Sequence, residues 1–111
     1  LSYMSEKPEI ALMPIDNEVF AIGDIPEIEV SFRKKAALKI FSTVSLQNVS
    51  LAVDGTFYPA TDIGNNCYRV DMPELKKQGT YYADVCSGDN VIAEELPFVI
   101  KKEGQKERSL L

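Results

Sequence analysis

Asp54-Gly55 stands between two runs of alternating hydrophobicity, Val49-Ser50-Leu51-Ala52-Val53 and Thr56-Phe57-Tyr58. Both central residues of a two-residue hairpin turn want positive φ, which Asp-Gly adopts at little cost, so this stretch predicts a tight β-hairpin. The pattern then continues. Gly64-Asn65-Asn66 punctuates the chain before Cys67–Met72, where Tyr68, Val70 and Met72 form an apolar face. Ser87-Gly88-Asp89-Asn90 then separates Thr80–Cys86 from the long run Val91–Ile100. Short apolar runs bounded by turn residues predict an all-β domain.

The N-terminal half gives a weaker signal. Glu9–Met13 and Glu18–Ile22 are short strand candidates, separated by Pro14 and Asp16-Asn17. Glu27–Phe32 alternates strictly and predicts a half-buried strand, with Ile28, Val30 and Phe32 inward and Glu27, Glu29 and Ser31 in water. Residues 33–41 are basic and contain helix formers; a helix, a connection and a strand all remain open there. The expected organisation is a flexible segment over residues 1–8, one domain over 9–100, and a charged tail over 101–111.

Composition closes several routes. The net charge of −5 lacks the basic face that a nucleic-acid binder uses to displace counterions, and it disfavours an anionic membrane surface. No apolar run reaches the length of a spanning helix. With no histidine, the commonest general base and metal ligand are both missing. Two cysteines, Cys67 and Cys86, are too few for a disulfide scaffold or a zinc site. No nucleophile elbow or phosphate-binding glycine loop is present, and Glu27 and Glu29 read as the wet face of a strand. Asp89, Glu94 and Glu95 lack the ligand spacing of a calcium loop. Asn48-Val49-Ser50 has the form of a glycosylation site, which matters only in a secreted eukaryotic protein. The expectation is a non-enzyme with no cofactor and no metal.

Leu75–Val85 contains Gly79-Thr80-Tyr81-Tyr82 after a turn-forming stretch and resembles the corner between strands E and F of immunoglobulin-like domains. That resemblance implies an antiparallel β-sandwich of about seven strands, with Gly79 and Tyr81 as the structural corner and the tyrosine hydroxyl bonded to nearby backbone. Ala83 stands where antibody-type domains keep a disulfide cysteine, and Lys77 replaces the usual acidic residue. The resemblance therefore implies a sandwich without the intersheet bridge. In it Cys67 and Cys86 would face outward from opposite sheets as free thiols; a meander would instead let them pair. A strand ending in a Pro-containing turn, then Gly-x-Tyr, an exposed acidic turn and a final Phe-containing strand is also similar to N-terminal domains of phage upper-baseplate proteins, which are virion structural modules.

Candidate interaction residues are the basic cluster Arg33, Lys34, Lys35 and Lys39, together with Tyr58 and Tyr82. The cluster could meet an acidic partner, or simply keep a sheet edge soluble. The tyrosines could anchor a protein contact or stack on a sugar, and Tyr58 beside Pro59 could equally cap the sandwich edge. The expected function is a structural or adaptor module acting through protein partners and self-association, as in a phage virion or tail. The alternative is a bacterial surface or carbohydrate-binding accessory domain, and an enzyme is the remote third reading. If Met4 is the native start, the location is virion or cytoplasm; otherwise it is the cell surface.

Overall fold

The structure is a computed structural model, described over residues 8–16 and 21–102. The expected flexible segment, the charged tail beyond residue 102, and most of the candidate strand Glu18–Ile22 lie outside the described residues. Eight strands are present: β1 (Ile10–Pro14), β2 (Glu27–Val30), β3 (Ala36–Ser42), β4 (Val49–Val53), β5 (Thr56–Gly64), β6 (Cys67–Met72), β7 (Gly79–Ser87) and β8 (Asn90–Lys102). Among the described residues there is no helix, and the domain is all-β.

Hydrogen-bonded neighbours run β1-β3-β6-β5-β4-β7-β8-β2. The array folds into two layers because β5 belongs to both. Its first half pairs with β4 (Ser50 opposite Pro59, Val53 opposite Thr56), and its second half with β6 (Ala60 opposite Val70). The handover falls at Pro59, a residue with no N–H to give a ladder. One layer is thus β1-β3-β6-β5 and the other β5-β4-β7-β8-β2.

The hairpin expected at Asp54-Gly55 is present. Val53 pairs with Thr56, and the two turn residues have φ of 52° and 82°, the mirror-image turn whose twist suits the flanking strands. The Asn65-Asn66 turn is built alike, with φ of 55° and 60°. Between the layers lies one continuous core that includes Leu38, Ile40, Leu51, Val70, Val85, Phe98 and Ile100. These residues alternate with outward-facing neighbours, as a sheet with one wet face requires.

Several expectations are corrected. Residues 36–42 form a strand, because pairing with β1 on one side and β6 on the other overrides their helix propensity. Ala36, Leu38 and Ile40 enter the core and Lys39 points outward. The array is not wholly antiparallel: β2 pairs with β8 in parallel, with Val99 N donating to Pro26 O at 2.9 Å. β8 also runs to Lys102, two residues into the expected tail, since Glu29 and Val30 pair there with Lys101 and Lys102. At the described end of the expected Glu18–Ile22 strand the chain turns instead, with Asp24 N bonded to Ala21 O at 3.1 Å.

The largest correction concerns Phe32. Alternation placed it in the core, but β2 stops at Val30 and the ring is 97% exposed. Ser31 is the cause. Its N–H donates to Lys34 O at 2.9 Å, and its Oγ accepts from Arg33 N and Lys34 N at 3.3 and 3.1 Å. This serine turn replaces the next ladder bonds and swings residue 32 outward.

Candidate functional site

Strand direction gathers loops at two ends of the sandwich. β2, β4, β6 and β8 run toward one end, and β3, β5 and β7 run away from it. The first end therefore holds the β2–β3 turn with Arg33, Lys34 and Lys35, the β6–β7 corner with Glu74, Lys76 and Lys77, the β4–β5 turn with Asp54, and the close of β8 with Lys101 and Lys102. The remaining two Lys and Arg of the described residues, Lys39 and Arg69, lie on the outer face of the β1-β3-β6-β5 layer. We call this the basic end.

A cleft of about 730 Å³ opens beside it, where the order of strands begins and finishes. Pro14, Ile15 and Asp16 line it from the end of β1, Glu27, Ile28 and Glu29 from β2, and Ala37, Arg69 and Asp71 from β3 and β6. Arg33, Lys34, Lys35 and Lys101 complete it. Two of its cations are occupied. Arg69 meets Asp71 at 3.0 Å, and this hydrogen bond holds its guanidinium firmly charged. Lys101 meets Glu27 at 2.8 Å, which raises the ammonium pKa. Among the described residues Arg33, Lys34 and Lys35 make no salt bridge. Three of the expected basic residues are thus brought together; Lys39 is not among them.

Phe32 precedes these three cations at the tip. A phenyl ring left in water forgoes about 1.5–3 kcal/mol of burial free energy. Sequence reasoning missed it as a surface residue; the signal available was Ser31 followed by a basic run, which favours a turn over another strand residue.

The tyrosines divide. Tyr81 donates its hydroxyl to Lys77 O at 2.7 Å, and its ring stacks on Phe98 at 5.5 Å between centroids. Gly79, which opens the strand, has φ of 150°, a conformation open to glycine and rarely to other residues. Between Met72 and Gly79 the chain makes a turn, with Leu75 N bonded to Met72 O, in place of a helical turn. Tyr58 is only 7% exposed and belongs to the core, so it is corrected from interaction surface to edge cap; burial pushes its pKa up. Tyr82 is 58% exposed on the outer face of the β5-β4-β7-β8-β2 layer. Phe57, 65% exposed, is on that face too and was not anticipated.

Both cysteines are free. Cys86 is buried, which corrects its expected exposure, although it faces away from the core cluster. Burial raises its pKa, with the nearby Asp84 carboxylate adding to the effect. A thiol held protonated is a poor nucleophile.

The opposite end is acidic. Its loops, residues 43–48, 64–66 and 87–90, carry no Lys or Arg, while Glu9, Asp62 and Asp89 lie in or beside them. Val44, Ile63 and Val91 are exposed there. The loops are bonded to one another. Ser42 N donates to Asn66 O at 3.1 Å, Ser45 Oγ to Asn66 Oδ1 at 3.2 Å, and Leu46 N to Tyr68 Oη at 2.8 Å. Ser87 Oγ donates to Gln47 O at 2.7 Å, and Gly88 N to Asn48 O at 2.9 Å.

Among the described residues no group of His, Cys, Asp and Glu is placed to hold a metal ion. No curated protein matches the sequence. A family model described as Domain of unknown function (DUF7862) matches residues 18–103, and the chain belongs to that family.

Proposed function

We propose that this chain is a non-catalytic structural or adaptor module that works through protein–protein contact. We further propose a place in a virion or tail assembly, the location implied by the sequence similarity to baseplate modules. Kinship with immunoglobulin-like domains is supported by the strand order of the two layers and by the Tyr81–Lys77 corner bond. The observation that carries the assembly reading is Phe32, a large apolar ring held in water by its own turn and followed by three cations without salt bridges among the described residues. Binding hot spots are enriched in Trp, Tyr and Arg, and Phe32 beside Arg33 offers a similar pairing of an aromatic ring with a guanidinium.

Phe32→Ser tests this reading. The ring has no packing to lose, so stability should stay within about 0.5 kcal/mol. Binding to the proteins that co-purify with the full chain should weaken by about 2 kcal/mol, roughly thirtyfold, by surface plasmon resonance. Unchanged binding to every such protein sinks the reading.

A carbohydrate-binding accessory role is the second reading, favoured by Phe57 and Tyr82 exposed on one sheet face. It requires a glycan-array signal that disappears with Tyr82→Ala.

A further inference from the structure

Resting on the assembly reading, we infer that the partner surface for the basic end is the acidic end of a second copy of this chain, so that copies associate head to tail. Charge complementarity is the first argument. The chain carries a net −5, so two copies repel over most approaches, yet the described cations lie mostly at one end and are absent from the loops of the other. An end-to-end approach brings Arg33, Lys34 and Lys35, which make no salt bridge among the described residues, toward the Glu9 and Asp89 side chains of another molecule, with Asp54 and Glu74 of the same end set to the side of that contact.

The apolar groups match in the same sense. Phe32 protrudes from the basic end, and Val44, Ile63 and Val91 are exposed among the loops of the other. A ring laid against one of them would lose part of its contact with water, as an interface anchor does. The receiving surface is also prearranged. Its three loops are joined by the bonds of Asn66, Tyr68 and Ser87, so docking orders little chain there and more of the contact energy survives as affinity. Because the two surfaces differ, the contact is heterologous: it leaves one free end of each kind and propagates as a filament or closes as a ring.

The test uses two full-length variants. Arg33→Glu/Lys34→Glu/Lys35→Glu reverses the basic end, and Glu9→Lys/Asp89→Lys reverses the acidic end; Asp62 is spared because it accepts the Gly64 N–H. By sedimentation velocity and light scattering, the wild-type mass should rise with concentration, pass beyond a dimer, and fall back as salt is added. Each variant alone should be weakened at least tenfold. An equimolar mixture should associate again, since each end of one variant meets an end of opposite charge on the other, through the native contact and through the charge-swapped one.

Three results overturn the inference. Wild-type chain that stays monomeric up to about 1 mM does so, including where it sediments with phosphatidylserine vesicles, which would make lipid the occupant. Variants that self-associate like wild type place the contact elsewhere. A mixture that does not associate excludes complementary ends. Monomeric chain that still binds another protein through Phe32 sinks self-pairing and leaves the assembly reading intact.

Discussion

The two ends of this sandwich are built from the same kinds of turn and yet are held in opposite ways. At the acidic end three loops are tied to one another across the molecule, partly through Tyr68, whose hydroxyl accepts from Leu46 N and donates to Leu46 O at 3.4 Å. At the basic end the turns are held mainly from within, with one bond across, from Lys102 N to Gln78 Oε1 at 3.0 Å. Ser31 fixes its own loop, and Tyr81 fixes its own corner four residues back. A loop held by its neighbours forms a shared surface, whereas one held by itself projects on its own. That difference is what leaves Phe32 in solvent while Leu46, in a loop of similar length, packs against the core.

Mutations can break the contrast, and Tyr68→Phe should do so most strongly. It removes the partner of a part-buried N–H, which costs about 1–3 kcal/mol. Urea unfolding should show that loss, and hydrogen exchange at Leu46 should accelerate while the β2–β3 turn is unaffected. Protection that falls equally at both ends would mean that they are not separately held. Tyr81→Phe is the counterpart at the basic end. The Lys77 carbonyl it leaves is exposed and can bond water, so the expected cost is smaller, about 0.5–1.5 kcal/mol. A loss exceeding that of Tyr68→Phe would reverse the ranking.

The smallest effect is one of pH. Tyr58, reached from the basic end, and Cys86, near the acidic end, both have raised pKa values in the folded chain, chiefly through burial. The folded protein then holds these protons where the unfolded chain has begun to release them. Their contribution to stability is complete below the unfolded pKa of each group and is lost as pH climbs through the folded one. Stability should therefore decline on the alkaline side, from about pH 9 upward. Cys86→Ser should blunt the earlier part of that decline in pH-dependent unfolding; an unaltered profile would show that the thiol does not take part.

Much of the C-terminal architecture is legible in the sequence because its signals are local. Asp54-Gly55 specifies its turn by backbone preference alone, and the alternation of Tyr68, Val70 and Met72 specifies a buried face. The N-terminal half is less legible for identifiable reasons. Ala36–Ser42 carries helix-forming residues, and its strand state comes from partners remote in sequence. Phe32 continues the strand's alternation without fault; a single serine hydroxyl capturing two backbone N–H groups ends the strand before it. Tyr58 looks exposed beside a proline, but that proline marks the place where β5 changes layers and the tyrosine turns under it. The segregation of charge is hidden in the linear sequence, because it depends on which way each strand runs.

The passage of β5 from one layer to the other has a mechanical consequence. Layers joined by loops alone can slide apart when a loop yields, but here a single extended backbone is woven into both, so shear on either face is carried into the other through covalent bonds. Force applied across the two faces should rupture the domain in one event, with no intermediate of separated layers.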